Sequence, residues 1–406
     1  MPSKYIPHRN SLSAGRKLLC EPFLDAIRPF ASRWRCLVLH GRNQSAIAPF
    51  SSLLLTEVPI LEELVVSVES TGGKNDPDDK RWSRCGLIRA PILNRVAISH
   101  IDERIAGLQL PWSQMTHLSF ELSRRRRVKS LSANETIGIL RQCPNLVSIQ
   151  VEIGNIAEEF EAAGINNLNE MDQFVPAPVH NREALIMHHL LHLTIHTALD
   201  LSEFFPVIQT PVLREFSIFG IPLPALGIPI VISFLSWVPT LKRLSIDPRC
   251  FTLEQVSQCL ASCPMITSLR FCTGFVDDEW CRSSFARRGL AKCYDATMAL
   301  ITPSLEGEER DEYLCRYLQE FYAIGAFCTA NMVYNFIVTR QKRAQNGYPS
   351  LKVVSVDFFE KPRNRNLLDT LRDVDDVALT YYKPTYLISS RPHRCYNSGV
   401  NCTVSS

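Results

Sequence analysis

A six-residue pattern, apolar-x-x-apolar-x-apolar, recurs ten times along the chain, and no other feature narrows the fold as much. The copies open at Trp34, Leu61, Leu93, Met115, Leu146, Leu190, Leu213, Leu241, Ile266 and Leu351. In seven of them a proline stands two residues ahead, at Pro59, Pro91, Pro144, Pro211, Pro239, Pro264 and Pro349. Proline ends a helix and favours an extended residue before it. Each copy therefore reads as a helix end, a turn and a short strand. Side chains alternate along a strand, so in LKRLSI (Leu241–Ile246) Leu244 and Ile246 face inward. Arg243, Ser245 and Asp247 face the other way.

The segments ahead of several copies carry a helical period. ETIGILRQC (Glu135–Cys143) and TLEQVSQCLASC (Thr252–Cys263) place apolar residues three and four apart, and Thr252 is a suitable helix start. Successive copies are separated by 27, 32, 22, 31, 44, 23, 28, 25 and 85 residues. The 44-residue gap holds a polar stretch around Asn155–Asn181, read as a surface insertion. The 85-residue gap is read as two extra helices, Glu308–Cys328 and Ala330–Gln345.

Turn, strand and helix repeating in this order predict an α/β leucine-rich-repeat solenoid, with a parallel concave sheet and helices on the convex side. An irregular α/β domain with a parallel sheet is the alternative. The expected organisation is a disordered N-terminus over 1–17 and a repeat domain over 18–383. Insertions are expected at about 153–186 and 273–347, and a flexible tail over 384–406. Leu18–Phe30 and the segment after Phe358 are the expected end caps.

With 44 basic and 41 acidic residues, the net charge of +3 gives no global field toward nucleic acid or an acidic membrane. The fourteen cysteines include no Cys-x-x-Cys pair, and many sit in apolar segments. They read as small hydrophobes in a reducing compartment, cytoplasm or nucleus. Two uncharged stretches, Ile221–Pro239 and Phe321–Thr339, are interrupted by prolines or asparagines and read as buried rather than membrane-spanning.

No phosphate-binding glycine loop, nucleophile elbow or His-Glu-x-x-His motif occurs, so no catalytic residue, metal or cofactor is expected. His188, His189, His192 and His196 cluster in sequence, but His192 and His196 on one strand lie roughly 13 Å apart, too far for one metal. They read as surface histidines. Arg124–Arg127 with Lys129 is either a nuclear-import signal or phosphate contact, or a plain exposed loop. The runs Asp277–Glu279 and Asp373–Asp376 read as solvated faces.

Strand parity across the copies defines an outward surface of mixed charge. The residues expected to touch a protein partner there are Glu63, Arg95, His117, Gln150, His192, Glu215, Phe219, Arg243, Asp247 and Arg270. A nucleic-acid binder would carry a dominant positive stripe instead.

Phe23–Gly41, followed by Thr56–Val68, resembles the F-box and leucine-rich-repeat proteins expanded in mushroom-forming fungi. The resemblance rests on Ser32, Arg33 and Trp34 leading the first strand and on the Pro59-Ile-Leu-Glu-Glu-Leu64 repeat behind it. It extends in style to VPTLKRLSID and CPMITSLRF. It implies a protein substrate on the concave face, with a Skp-type adaptor and a cullin as further partners. The residues ahead of Phe23 lack the leucine-proline-x-glutamate start of an F-box, so that module is expected to be missing. A stand-alone repeat scaffold is the other expectation.

Overall fold

The computed structural model describes residues 20–41, 47–68, 85–99, 105–121, 131–154, 183–197, 201–220, 228–272, 294–303, 314–326, 329–358 and 378–381. The strands are β1 (Cys36–Gly41), β2 (Glu63–Val68), β3 (Arg95–Ser99), β4 (His117–Glu121) and β5 (Ser148–Ile153). They continue with β6 (Leu185–Ile186), β7 (His192–Thr197), β8 (Ile208–Gln209), β9 (Glu215–Gly220) and β10 (Arg243–Ile246). The last four are β11 (Ser268–Cys272), β12 (Glu320–Ala326), β13 (Val353–Phe358) and β14 (Ala378–Tyr381). Twelve of them form one all-parallel sheet in chain order, and β6 pairs with β8 in a separate two-stranded piece. This is the leucine-rich-repeat solenoid read from the sequence.

Most rungs begin with the same turn. The Leu61 amide donates to the Val58 carbonyl, and the Leu93, Leu146, Leu213, Leu241 and Ile266 amides donate to the residue three back in the same way. Proline is favoured at the second position of such a turn, which is where Pro59, Pro91, Pro144, Pro211, Pro239 and Pro264 stand. The two residues after the opening apolar one then cross to the previous rung. The amides of Glu62 and Glu63 both donate to the Arg35 carbonyl, at 2.8 and 3.0 Å. The same paired donation recurs at every junction from β1 to β13, ending with Lys352 and Val353 on the Gln319 carbonyl.

The core lies between the sheet and the layer of turns and helices behind it. The opening residues Leu61, Leu93, Met115, Leu146, Leu190, Leu213, Ile266, Leu318 and Leu351 are all fully buried. Phenylalanines fill the middle: Phe205 stacks on Phe234 with ring centres 4.5 Å apart, and both meet Phe216 of β9. Phe234 belongs to α3 (Ile228–Ser236); further helices are α1 (Cys20–Ile27), α2 (Ala133–Gln142), α4 (Leu253–Ala261) and α5 (Ala330–Ala344). Both α2 and α4 open on a capping box, Ser132 with Glu135 and Thr252 with Gln255, the latter at the predicted start. At the N-terminal end α1 and the turn after it bury Leu24 and Ala31 against the array. A two-pronged Arg28–Glu57 pair, at 2.5 and 2.9 Å, ties that cap to the next turn.

Of the two helices expected in the 85-residue gap only the second is found, and the described residues add a helical segment over 294–301. Glu308–Cys328 contributes a turn and the strand β12 within the described residues, while the second predicted helix is α5. Leu318, Phe321 and Ala323 repeat the apolar-x-x-apolar-x-apolar pattern, and their three- and four-residue spacing with the apolar residues before them mimics a helix. β14 is a further rung that the sequence reading did not count. The surface insertion, the termini, the arginine run and both acidic runs lie outside the described residues. Ile221–Pro239 contributes the nine-residue α3, and Phe321–Thr339 is divided between β12 and α5. Among the described residues no helix is long and apolar enough to cross a membrane.

The last rungs are fastened by an arginine. Arg340 of α5 is 2% exposed, yet its guanidinium donates to three carbonyls: Ile301 twice at 3.1 and 2.7 Å, Leu314 at 3.1 Å and Cys315 at 2.9 Å. Ile301 ends the helical segment 294–301, where carbonyls lack partners along the helix and favour a cation. Cys315 has φ of 56°, a left-handed backbone that non-glycine residues seldom adopt, and Arg340 holds its carbonyl. Arg340→Met is expected to lower unfolding stability by about 3 kcal/mol, because buried carbonyls lose their donors. Arg340→Lys should recover little of this, since an ammonium cannot fork across three carbonyls. Urea unfolding followed by circular dichroism measures both, and a loss under about 1 kcal/mol for Met would refute the role.

Candidate functional site

Parallel pairing in constant register lines the outward side chains into columns. The first column runs Cys36, Glu63, Arg95, His117, Ser148, His192, Glu215, Arg243, Ser268 and Glu320 across adjacent strands. The middle column carries small polar groups, including Gln150, Thr194, Ser217 and Ser245, and then Arg270 and Tyr322. A third column passes through Glu152, His196 and Phe219. Neighbouring strands stand about 4.8 Å apart, so long side chains in one column touch.

The densest contacts fall on β7 to β10. Glu215 accepts from His192 Nδ1 at 3.0 Å on one oxygen and from Arg243 at 2.5 Å on the other. Burial alone pushes the Glu215 carboxyl up, but the His192 hydrogen bond and the His192 and Arg243 charges outweigh it, and the net shift is downward. The neighbouring His117 shifts down as well, first from desolvation and then from the positive fields of Arg95 and His192. Thr116 Oγ1 lies 2.9 Å from His117 Nδ1 and fixes that ring. Beside this group Gln150 reaches the His196 ring at 3.5 Å, and His196 packs on Phe219 with ring centres 5.2 Å apart. On the next rungs the Arg270 guanidinium lies 4.8 Å over the Tyr322 ring.

Nine of the ten residues expected on this surface are there. Asp247 is the exception, fully buried at 0% exposure. β10 ends at Ile246, and the chain turns at once into Pro248–Cys250, with the Cys250 amide on the Asp247 carbonyl. Parity fails there because the strand has already stopped. His196 also departs from expectation: it has outward parity but only 8% exposure, covered by its Gln150 and Phe219 neighbours, whereas His188 and His189 are exposed. Glu320 and Tyr322 belong to the surface and were missed with β12. Reading Leu318–Ala323 as an eleventh copy of the repeat would have found them.

Among the described residues no group of three histidines, cysteines or carboxylates is placed to hold a metal. Cys143, Cys259, Cys263 and Cys315 are buried thiols. Burial pushes the Cys143, Cys259 and Cys315 thiols up to about 12 and Cys263 up as well, so they behave as small apolar groups.

No protein-family model matches the chain, and no curated protein sequence matches it. Many solved structures resemble it in fold, among them three at low identity. The yeast Rad7 and Elc1 complex is 12% identical over 90% of this chain and 92% of that one, with a TM-score of 0.36. The leucine-rich-repeat-containing protein LegL7 from Legionella pneumophila is 14% identical over 63% of this chain and 89% of its own, at 0.27. The TLR13–ssRNA13 complex is 13% identical over 75% of this chain and 46% of that one, at 0.23.

The Glu215 shift has a testable sign. A carboxyl with a lowered folded pKa contributes its stability fully above its ordinary value of 4.5 and loses it as pH falls through the folded value. The stability gap between the protein and Glu215→Gln should therefore be widest above that value and close below it. Urea midpoints from about pH 7 to about pH 3 measure it, and a gap that stays constant into acid contradicts the assignment.

Proposed function

We propose that this chain is a protein-binding scaffold whose outward sheet columns hold a partner, and that it catalyses nothing itself. The observation that carries the reading is the registered surface itself. Anchors of the kinds that dominate protein interfaces, Arg243, Arg270, Tyr322 and Phe219, stand around a floor of small hydroxyl groups. Charge on this face is mixed, with Glu63, Glu215 and Glu320 among the cations, which suits a polar protein surface better than a polyanion.

The finer reading is a substrate-recognition module of a cullin-type ubiquitin ligase. It rests on the resemblance carried by Ser32, Arg33, Trp34 and the Pro59–Leu64 repeat. The stretch ahead of α1, where an F-box would stand, lies outside the described residues. A repeat scaffold acting alone is the second reading.

Affinity purification of the full chain from its native cells, with co-purifying proteins identified by mass spectrometry, tests both. A Skp-type adaptor and a cullin in the eluate support the ligase reading, and their absence beside other enriched proteins supports the lone scaffold. The double variant Arg243→Glu, Arg270→Glu should lose a face-bound protein by about tenfold while keeping any adaptor. Unchanged recovery of every partner by that variant would remove the sheet face as the binding surface.

A further inference from the structure

The turns that open the rungs form a second edge, at the start of the strands. From β5 to β13 these turns occupy 143–147, 187–191, 210–214, 238–242, 263–267, 315–319 and 346–352. They contain no aspartate or glutamate. They do contain His188, His189, Arg214, Lys242, Arg316 and Lys352. The earlier turns differ, since there Glu57 pairs with Arg28 and Glu62 lies 4.0 Å from Arg35. Arg214, Lys242 and Lys352 form no ion pair among the described residues and are exposed.

The same edge collects exposed apolar groups. Trp237 is 78% exposed beside the Val238–Lys242 turn. Met265 and Tyr317 are exposed within two later turns, directly before the buried Ile266 and Leu318. Between β5 and β9 the edge is indented by an open cleft of about 380 Å³, floored by Val147, Leu191 and Val212 and lipped by His189, Arg214 and Thr240. Tryptophan, tyrosine, methionine and arginine are the residues enriched where proteins dock, and lone apolar side chains beside a cleft serve as anchors.

We infer that this turn-side edge docks an acidic segment of a partner protein that carries apolar anchor residues. Charge complementarity selects the acidic segment, because the partner would meet a lysine or arginine on four of these seven turns and a carboxylate on none. The Val147–Leu191–Val212 floor and Trp237 select anchors that a bare polyanion lacks. Six strand spacings separate β5 from β13, a span of about 29 Å that roughly nine extended residues cover. The edge is distinct from the sheet face, so both surfaces can be occupied together.

The test uses the full chain and a fluorescent peptide of roughly ten residues built from glutamate and leucine, with anisotropy as readout. Binding should weaken with salt. Arg214→Glu with Lys242→Glu should weaken it by about tenfold or more, Trp237→Ala by about fivefold, and Arg243→Glu on the sheet face by less than about twofold. All four positions are exposed, and circular dichroism checks that each variant is folded. The inference is overturned if the peptide does not bind. It is equally overturned if polyglutamate without leucine, or a single-stranded oligonucleotide, binds as well and Trp237→Ala changes nothing.

Discussion

One carbonyl per rung, accepting from two consecutive amides of the next, is the contact on which this molecule depends. A single strand–strand hydrogen bond fixes distance but leaves the neighbour free to slip along its axis. Two donors converging on the Arg35, Glu62 or Asn94 carbonyl fix where the next strand starts. A slip of one residue would carry the whole inward set to the outside, so pinning the start protects the core. It also explains how the array tolerates irregular spacing. Rung starts are 22 residues apart between Leu93 and Met115 and 52 apart between Ile266 and Leu318, yet the junctions are made in the same way. Whatever lies between must only return the chain to the turn.

That freedom explains the mixed layer behind the sheet. Where the return segment carries a capping box and a 3.6-residue period, as at Ser132 and Thr252, it is a helix. Where it is short, as before Met115, 3₁₀ turns take the place of a helix. Before Leu190 and Leu213 the returns pair with one another as β6 and β8. Each solution buries its apolar residues against the opening leucines.

The ladder was legible in the sequence because it needs three apolar residues at fixed spacing and, most often, a proline at the second turn position. Both are local. The register of the outward columns followed from counting along each copy, which is why Glu63, Arg95, His117, His192, Glu215 and Arg243 emerged as one row. What was lost has a physical cause in each case. The turn into β12 has Arg316 where others have proline, and its apolar spacing suits a helix as well as a strand. β14 was missed because the sequence just ahead of it reads Asp375-Asp376 where the pattern calls for an apolar residue. Asp247 was misplaced because parity says nothing about where a strand ends. Arg340 had no local signature at all: a basic residue near a helix C-terminus ordinarily points to solvent, and its three carbonyl partners come from other segments.

The division between inward and outward positions also decides which surfaces this fold can adapt for binding. Inward side chains are jammed between the sheet and its backing, so changes there cost packing energy. Outward side chains on β1 to β13 contribute little to the core, and the ladder beneath them is held by backbone groups alone. The residue before each opening apolar one varies as well: it is Ile60, Ile92, Gln114, Asn145, His189, Val212, Thr240, Met265 and Tyr317 in turn, and Gln114, Asn145 and Thr240 use their side chains to hydrogen-bond carbonyls of the preceding turn. A fold whose geometry is set by carbonyls and buried leucines thus leaves two rows of side chains open to any chemistry. One is the mixed-charge sheet face, and the other is the turn edge, which is cationic and apolar through most of its length.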